Sequence, residues 1–348
     1  MRETDRASAR QAVAVAFVGL LSPMIRRFPK ALAVLAGRSA WLSVWIAVPL
    51  LPLAVLLMRR AAMAMEAKPS RAFAACYGLW LLAYCGFLLR GGAERLVTTV
   101  YPCTHSALFL LCMAALCAVA AAAGFRSIAR TAMLLRPLLI AVPVALFLLA
   151  LGDTDPALLL PVTSRDLLPN LRGAASIVNL CGACFFLLYS GVTELTRLRF
   201  RDWAGWGTAL VVLLGLMAVA CLGLFGPELT AALSYPFFLL ARDAPVLGSL
   251  ERMEPLVVAL WVFADVVFLS ALLRCAVKLL GRAFAPGREP GTIAALLCAA
   301  AAAGAGLLFP VEQEAFAMFS ERAIPFAAAV MNFALPLLFA APQILRRK

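Results

Sequence analysis

Gln11-Ala-Val-Ala-Val-Ala-Phe-Val-Gly19-Leu-Leu-Ser22-Pro23-Met-Ile-Arg26-Arg27-Phe-Pro29-Lys30-Ala-Leu-Ala-Val-Leu-Ala-Gly37 is the first apolar stretch of the chain. Residues 11–36 are long enough to span a bilayer, whose hydrocarbon core of roughly 30 Å takes about 20 helical residues. Pro23 removes a backbone donor and clashes with the preceding turn, and Pro29 does so again six residues later. Arg26, Arg27 and Lys30 then fall where lipid would exclude them. Irregular backbone and charge at membrane depth are tolerated where they face protein or a watery cavity. The stretch therefore predicts a first span that breaks at Ser22-Pro23 beside something polar.

The rest of the chain is built the same way. It is 64% hydrophobic and only 14% charged, with a mean hydropathy of +0.95. In soluble domains charged residues alone approach about 25%. Apolar runs predict ten spans near 11–36, 39–58, 72–90, 104–123, 132–151, 174–196, 204–225, 253–277, 291–309 and 323–345. The whole chain, 1–348, then reads as one membrane domain. Residues 1–10 are polar and no small-residue cleavage site follows a short apolar core, so no cleavable leader is expected.

The formal charge of +13 reflects topology. Segments 2–10, 59–71, 126–136, 197–201, 278–288 and 346–348 carry nineteen Lys and Arg on one side of the predicted membrane, against eight on the other. That bias predicts that both termini are cytoplasmic, as an even number of spans requires. Nucleic acid is not an expected partner; the lipid bilayer is.

Chemistry of the enzymatic kind is not legible. Nine of the ten cysteines lie within or beside apolar runs, where no oxidising loop framework exists. Cys181-Gly-Ala-Cys184 has redox spacing but reads better as small packing residues. His105 is the only histidine. With no nucleophile–base set, metal cluster or phosphate loop, the expectation is a protein that is not an enzyme and takes no cofactor.

Residues 152–173, rich in Pro, Asp and Asn, separate five predicted spans from five more. Two such halves of opposite topology, here 1–151 and 174–348 about an outer linker, match transporters that bind substrate between discontinuous helices at corresponding positions. Ser22-Pro23 interrupts the first span of one half. Tyr189-Ser190-Gly191 interrupts the first span of the other, and a Ser-Gly pair is a usual place for a helix to bend. The fold expected is all-α integral membrane: about ten transmembrane helices in a five-plus-five inverted repeat, with helices 1 and 6 broken.

Several motifs, in order, resemble one family. Ser8-Ala-Arg-Gln11 is similar to its opening, and Ala36-Gly37-Arg-Ser-Ala40-Trp41-Leu42-Ser43 to its Ala-Gly-x-x-Ala-Trp-Leu-Ser junction between spans one and two. Leu168-Pro169-Asn170, Glu194, and the run from Tyr235-Pro236 through Arg242 to Leu250-Glu251-Arg252 and Trp261 follow in the same order. On these residues the chain resembles the spore germination permeases, the B subunits of nutrient germinant receptors, within the amino acid–polyamine–organocation (LeuT/APC-like) transporters. The resemblance implies a complex with A and C subunits in the inner membrane of the spore and a small, amino acid-like ligand. Arg26-Arg27 departs from the uncharged stretch that the family usually keeps at the first break.

Candidate site residues follow from the breaks and from charge in the spans. Backbone groups of Gly19, Leu20, Leu21, Ser22 and Pro23, and of Tyr189, Ser190 and Gly191, can serve a zwitterion through exposed helix ends. Tyr84, Gly86 and Ser270 are candidate wall residues, with packing as the plainer alternative. Glu194 and Asp265 are the acids within spans. Glu194 either contacts a ligand ammonium, couples protons, or pairs with Arg197 three residues on. Asp265 has no neutralising neighbour in its own span and needs a function or a partner helix. Arg26, Arg27 and Lys30 either snorkel outward or form a basic vestibule that attracts a carboxylate or pairs with Asp265. The leading expectation is a germinant-sensing subunit; the alternatives are a proton-coupled amino acid permease and a non-binding scaffold.

Overall fold

In lipid every backbone polar group must find its partner within the protein, so an apolar chain of this kind folds into helices. The computed structural model describes residues 7–67, 69–192, 200–243, 254–310 and 312–345, and these are helical almost throughout. In order the helices are α1 (Ala9–Ala36), α2 (Trp41–Ala67), α3 (Arg71–Thr99), α4 (Ser106–Ala123), α5 (Phe125–Ala150), α6 (Leu167–Gly182), α7 (Phe186–Tyr189), α8 (Phe200–Ala232), α9 (Pro236–Asp243), α10 (Glu254–Phe284) and α11 (Thr292–Leu308). The last span is composite: α12 (Gln313–Met318), α13 (Ile324–Ala329) and α14 (Leu335–Leu345) are joined by π-helical turns at Phe319–Ala323 and Val330–Ala334.

Among the described residues eight helical stretches are long and apolar enough to cross a membrane, and two further apolar stretches, Ala9–Leu21 and Thr292–Leu308, are shorter. The helices occur in the order that the ten expected spans predict, but several limits differ. α3 continues to Thr99, well past the expected end at 90, and carries Arg90, Glu94 and Arg95 inside the bundle rather than in an outer loop. α5 begins at Phe125 directly after Gly124, so Arg126, Arg130 and Arg136 are helical. α6 begins at Leu167, seven residues early, because Asn170 is tied into the neighbouring helices.

The first helix corrects the reading from Ser22-Pro23. α1 is one helix from Ala9 to Ala36, with Pro23 and Pro29 inside it. Proline interrupts a helical hydrogen bond without ending a membrane helix when surrounding helices support the turn. Here α1 is enclosed by α5, α6, α8 and α10. Gly19 is packed so closely on α10 that a Cβ added there would overlap the Phe268 ring. The family-like opening has a local explanation as well. Ser8 and Gln11 form a reciprocal capping box, Gln11 N–H donating to Ser8 Oγ at 3.3 Å and Ser8 N–H to Gln11 Oε1 at 2.9 Å.

The packing that orders the interior lies between α3 and α10, the most extensive helix pair. Small residues make it possible: a Cβ on Gly78 would stand 2.8 Å from Leu280 Cδ2. Gly86 bears in the same way on Ala302 O of α11, at 2.6 Å. Helix backbones approach closely in membranes where small residues meet.

Candidate functional site

The sixth span leaves regular helix where the sequence contains Gly182-Ala-Cys-Phe185. α6 stops at Gly182, residues 183–185 turn, the single helical turn of α7 ends at Tyr189, and Gly191 adopts φ +66°. Glycine takes this left-handed conformation without the cost that a Cβ imposes. Close packing holds the interruption in place. A Cβ on Gly182 would overlap Phe333, whose ring lies edge-on to Phe185 at 5.3 Å. The Cys184 thiol faces Ala16 O of α1 at 3.7 Å. Ala7 N–H donates to Val192 O at 3.1 Å, so the start of α1 is stitched to the end of the break.

Beside this break lies a cavity of about 560 Å³, within the range that holds small ligands. Its wall is drawn from the end of α2 (Ala62, Met65, Glu66), the start of α3 (Ser70, Phe73, Ala74), the break (Leu188, Tyr189, Gly191) and the end of α10 (Lys278, Arg282). Lys278 is only 5% exposed and its Nζ donates to Gly191 O at 3.0 Å. The Arg282 guanidinium abuts the α-carbon of Gly191, its Cζ standing 3.3 Å from where a Cβ would be. Glu66 and Glu289 are close enough to Arg282 to act on its charge. An ammonium and a guanidinium thus converge on Gly191, where the tightened turns of residues 183–190 give way to a left-handed residue.

Tyr189 ties the break to two other helices. Its hydroxyl donates to Asn332 O at 3.0 Å, and Tyr77 of α3 donates to Asn332 Oδ1 at 2.9 Å. The two tyrosine rings meet edge-on at 5.2 Å, with Phe73 stacked on Tyr77 at 5.4 Å. Asn332 belongs to the second π-helical turn of the last span, and such turns re-aim side chains at functional places.

The residues singled out in the sequence are distributed as follows. Tyr189 and Gly191 line the cavity, while Ser190 is fully buried between them and its hydroxyl has no partner among the described residues. Gly19, Leu20 and Leu21 are buried in continuous helix away from it. Pro23 is likewise within α1, and the side chains of Ser22, Arg26 and Arg27 lie outside the described residues, as does Glu194. Tyr84 is packed between Trp80 and Phe87, at 5.4 and 6.4 Å. Ser270 turns its hydroxyl back to Val266 O at 2.6 Å.

Asp265 has its partner helix. It forms an ion pair with Arg95 of α3, and the Arg95 guanidinium also lies 5.4 Å from the Trp261 ring centroid. Arg95 is 1% exposed. About one turn earlier Arg90 pairs with Glu94 at 2.6 Å, so Glu94 too is an acid held within a span. Asp265 and Lys278 stand thirteen residues apart on α10, about 20 Å at 1.5 Å per residue. The ion pair and the cavity therefore occupy opposite halves of the same helix.

Two family-like motifs meet as a structural lock. Ser43 Oγ donates to Asn170 Oδ1 at 2.8 Å, and Asn170 Nδ2 donates to Ser39 Oγ at 2.9 Å and Asp166 O at 2.8 Å. Arg38 and Trp41 reach Leu160 O and Leu159 O, at 3.1 and 3.4 Å. The junction after α1 is thereby fastened to the linker and α6.

Lys278, Arg282, Arg95, Tyr77 and Asn332 were not legible as site residues. A signal for the first two did exist: Arg274, Lys278 and Arg282 recur at four-residue spacing and share a helix face. Lys278 and Arg282, read as part of a basic loop, indicate only topology. Among the described residues no group of three His, Cys, Asp or Glu side chains could hold a metal ion.

Comparison with known proteins agrees with this architecture. The family model Spore_permease, described as "Spore germination protein", matches residues 7–285, and the chain belongs to that family. No curated protein matches the chain. Among solved structures it is similar to a Na+-coupled sialic acid symporter in a substrate-bound outward-open state, with 14% identity and a TM-score of 0.61, over 97% of this chain and 80% of that one. At that identity the likeness shows the fold alone: an all-α, multi-pass membrane fold like that of the symporter.

Proposed function

We propose that this member of the spore germination protein family is the membrane subunit of a germinant receptor and senses a small, amino acid-sized nutrient at the cavity beside the interrupted sixth span. The observation that carries the reading is the positive-φ Gly191, which ends a segment of tightened, three-residue backbone turns and lies in the cavity wall. A departure from regular helix in a membrane protein is retained where it faces a polar site or a watery cavity. Ligand entry there would act on Tyr189 and, through Asn332, on the last span. No covalent step is involved.

The same reading includes ten crossings in two five-helix halves, 1–151 and 174–348, about the linker 152–173. It puts both termini and the cavity mouth, with Arg71, Arg282 and Arg288, on the cytoplasmic side of the spore inner membrane. It also includes assembly with A and C subunits. Spores carrying Gly191→Ala test it. Loss of the nutrient response with normal amounts of all three subunits is expected, whereas an unaltered response would refute it.

Proton-coupled transport is favoured by one specific observation. The cavity lies at one end of α10 while the Arg95–Asp265 pair joins α3 and α10 toward the other, an arrangement suited to access from one face at a time. Uptake of labelled amino acids by reconstituted protein, abolished by Asp265→Asn, would establish that activity.

A further inference from the structure

Among the cavities, buried charges and exposed faces of this molecule, one pair of groups is arranged so that a ligand would have to compete with the protein for it. Lys278 is nearly fully buried, lies on the wall of the cavity, and donates to the carbonyl of Gly191 at 3.0 Å. That carbonyl belongs to the residue whose φ of +66° ends the interrupted span. The carbonyl is a neutral acceptor. A carboxylate is a stronger one for an ammonium, because it adds charge–charge attraction to the charge-assisted hydrogen bond.

We infer that Lys278 is the residue that recognises the ligand, that it does so through a carboxylate, and that the carboxylate takes the ammonium from Gly191 O. The inference rests on the cavity being the ligand site and specifies what that site reads. Arg282 supplies the second cation. Its guanidinium lies against the same glycine, one helical turn beyond Lys278 on α10, and Glu66 and Glu289 line the same cavity. An α-amino acid fits that order: carboxylate inward at Lys278, ammonium outward toward the acids. Phe73 and Tyr189 furnish the apolar part of the wall.

The coupling follows from the geometry. With Lys278 engaged by ligand, the Gly191 carbonyl loses the donor that fixes it, and the segment from Tyr189 to Gly191 is released to re-orient. Tyr189 carries the change, since its hydroxyl is bonded to Asn332 in the π-helical turn of the last span. Occupancy of a cavity at the basic end is in this way read by the last span.

The test uses the purified full chain, with binding followed as the shift of its thermal midpoint against concentration for each of the twenty amino acids and for the corresponding carboxamides. For the amino acid that binds best, the acid is expected to bind about tenfold or more tightly than its amide, as loss of one charge-assisted bond predicts. In Lys278→Met that preference is expected to fall to the share that Arg282 alone supplies, and in Lys278→Arg to be retained. Arg282→Gln is expected to weaken the acid while leaving a preference for it, and serves where Lys278→Met does not fold. Equal binding of acid and amide by the unaltered chain would overturn the inference while leaving the cavity as the ligand site. An acid preference undiminished in Lys278→Met would overturn it too. The absence of any shift with any acid or amide would sink both the inference and the ligand-sensing reading.

Discussion

Arg95 of α3 and Asp265 of α10 form a buried ion pair that joins the two most extensively packed helices, with the Arg95 guanidinium over Trp261. Arg95 is almost wholly buried and Asp265 largely so, and removing one member leaves the other charged with little water to reach it. Arg95→Met and Asp265→Asn are each expected to destabilise the protein by about 3–5 kcal/mol, whereas replacing both with apolar residues of similar volume is expected to cost far less. Thermal midpoints of the two single variants and the double variant in detergent measure this. Equal, additive losses would contradict the pairing.

Gly19 is constrained by packing alone and Gly191 by both conformation and packing. Gly19→Ala is expected to be destabilising because its Cβ would overlap Phe268, and Phe268→Leu in the same chain is expected to recover part of the loss. Gly191→Ala is expected to cost about 1–3 kcal/mol from the left-handed backbone alone, and no trimming of Arg282 removes that share. Comparing rescue by Phe268→Leu with rescue by Arg282→Ala separates the two causes.

The two breaks were not equally legible in the sequence. Ser22-Pro23 gave the louder signal, since proline removes a donor outright, yet α1 passes through it because four helices enclose it. At the sixth span Ser190-Gly191 marked the right region, but α6 already stops at Gly182. The cause is a tertiary contact: Phe333, more than a hundred residues away in sequence, occupies the space over that glycine. Helix order was readable because apolar length is a local property. The partners of Asp265 and Tyr189 lie on distant helices, and a single sequence carries no record of such contacts.

Tyr77 and Tyr189 converge on Asn332 from two helices. Asn332→Leu removes the acceptor of Tyr77 but spares the backbone acceptor of Tyr189. It is expected to cost about 1–3 kcal/mol, and Tyr77→Phe added to it is expected to cost little more. A double-mutant cycle on thermal stability gives the coupling directly. In spores, Asn332→Leu is expected to blunt the nutrient response at subunit levels like those of the unaltered chain.

Asn170 holds Ser39 and Ser43 across the junction between the first two helices and the sixth. Asn170→Leu takes from the buried Ser43 hydroxyl its acceptor, while Ser39 keeps Ala36 O, with an expected loss of about 1–3 kcal/mol. If the lock is purely structural, ligand affinity in the folded fraction is expected to stay at the level of the unaltered chain.

A nutrient held in the cavity beside Gly191, and not at the middle of α1, covers the wall at Ala74. Ala74, buried on the cavity wall, gives a direct probe: Ala74→Cys in a chain whose native cysteines are replaced, labelled with maleimide in the presence and absence of the amino acid that most raises the thermal midpoint. The account predicts that saturating ligand slows labelling at position 74 several-fold. A labelling rate that stays constant while the same ligand stabilises the protein would contradict it.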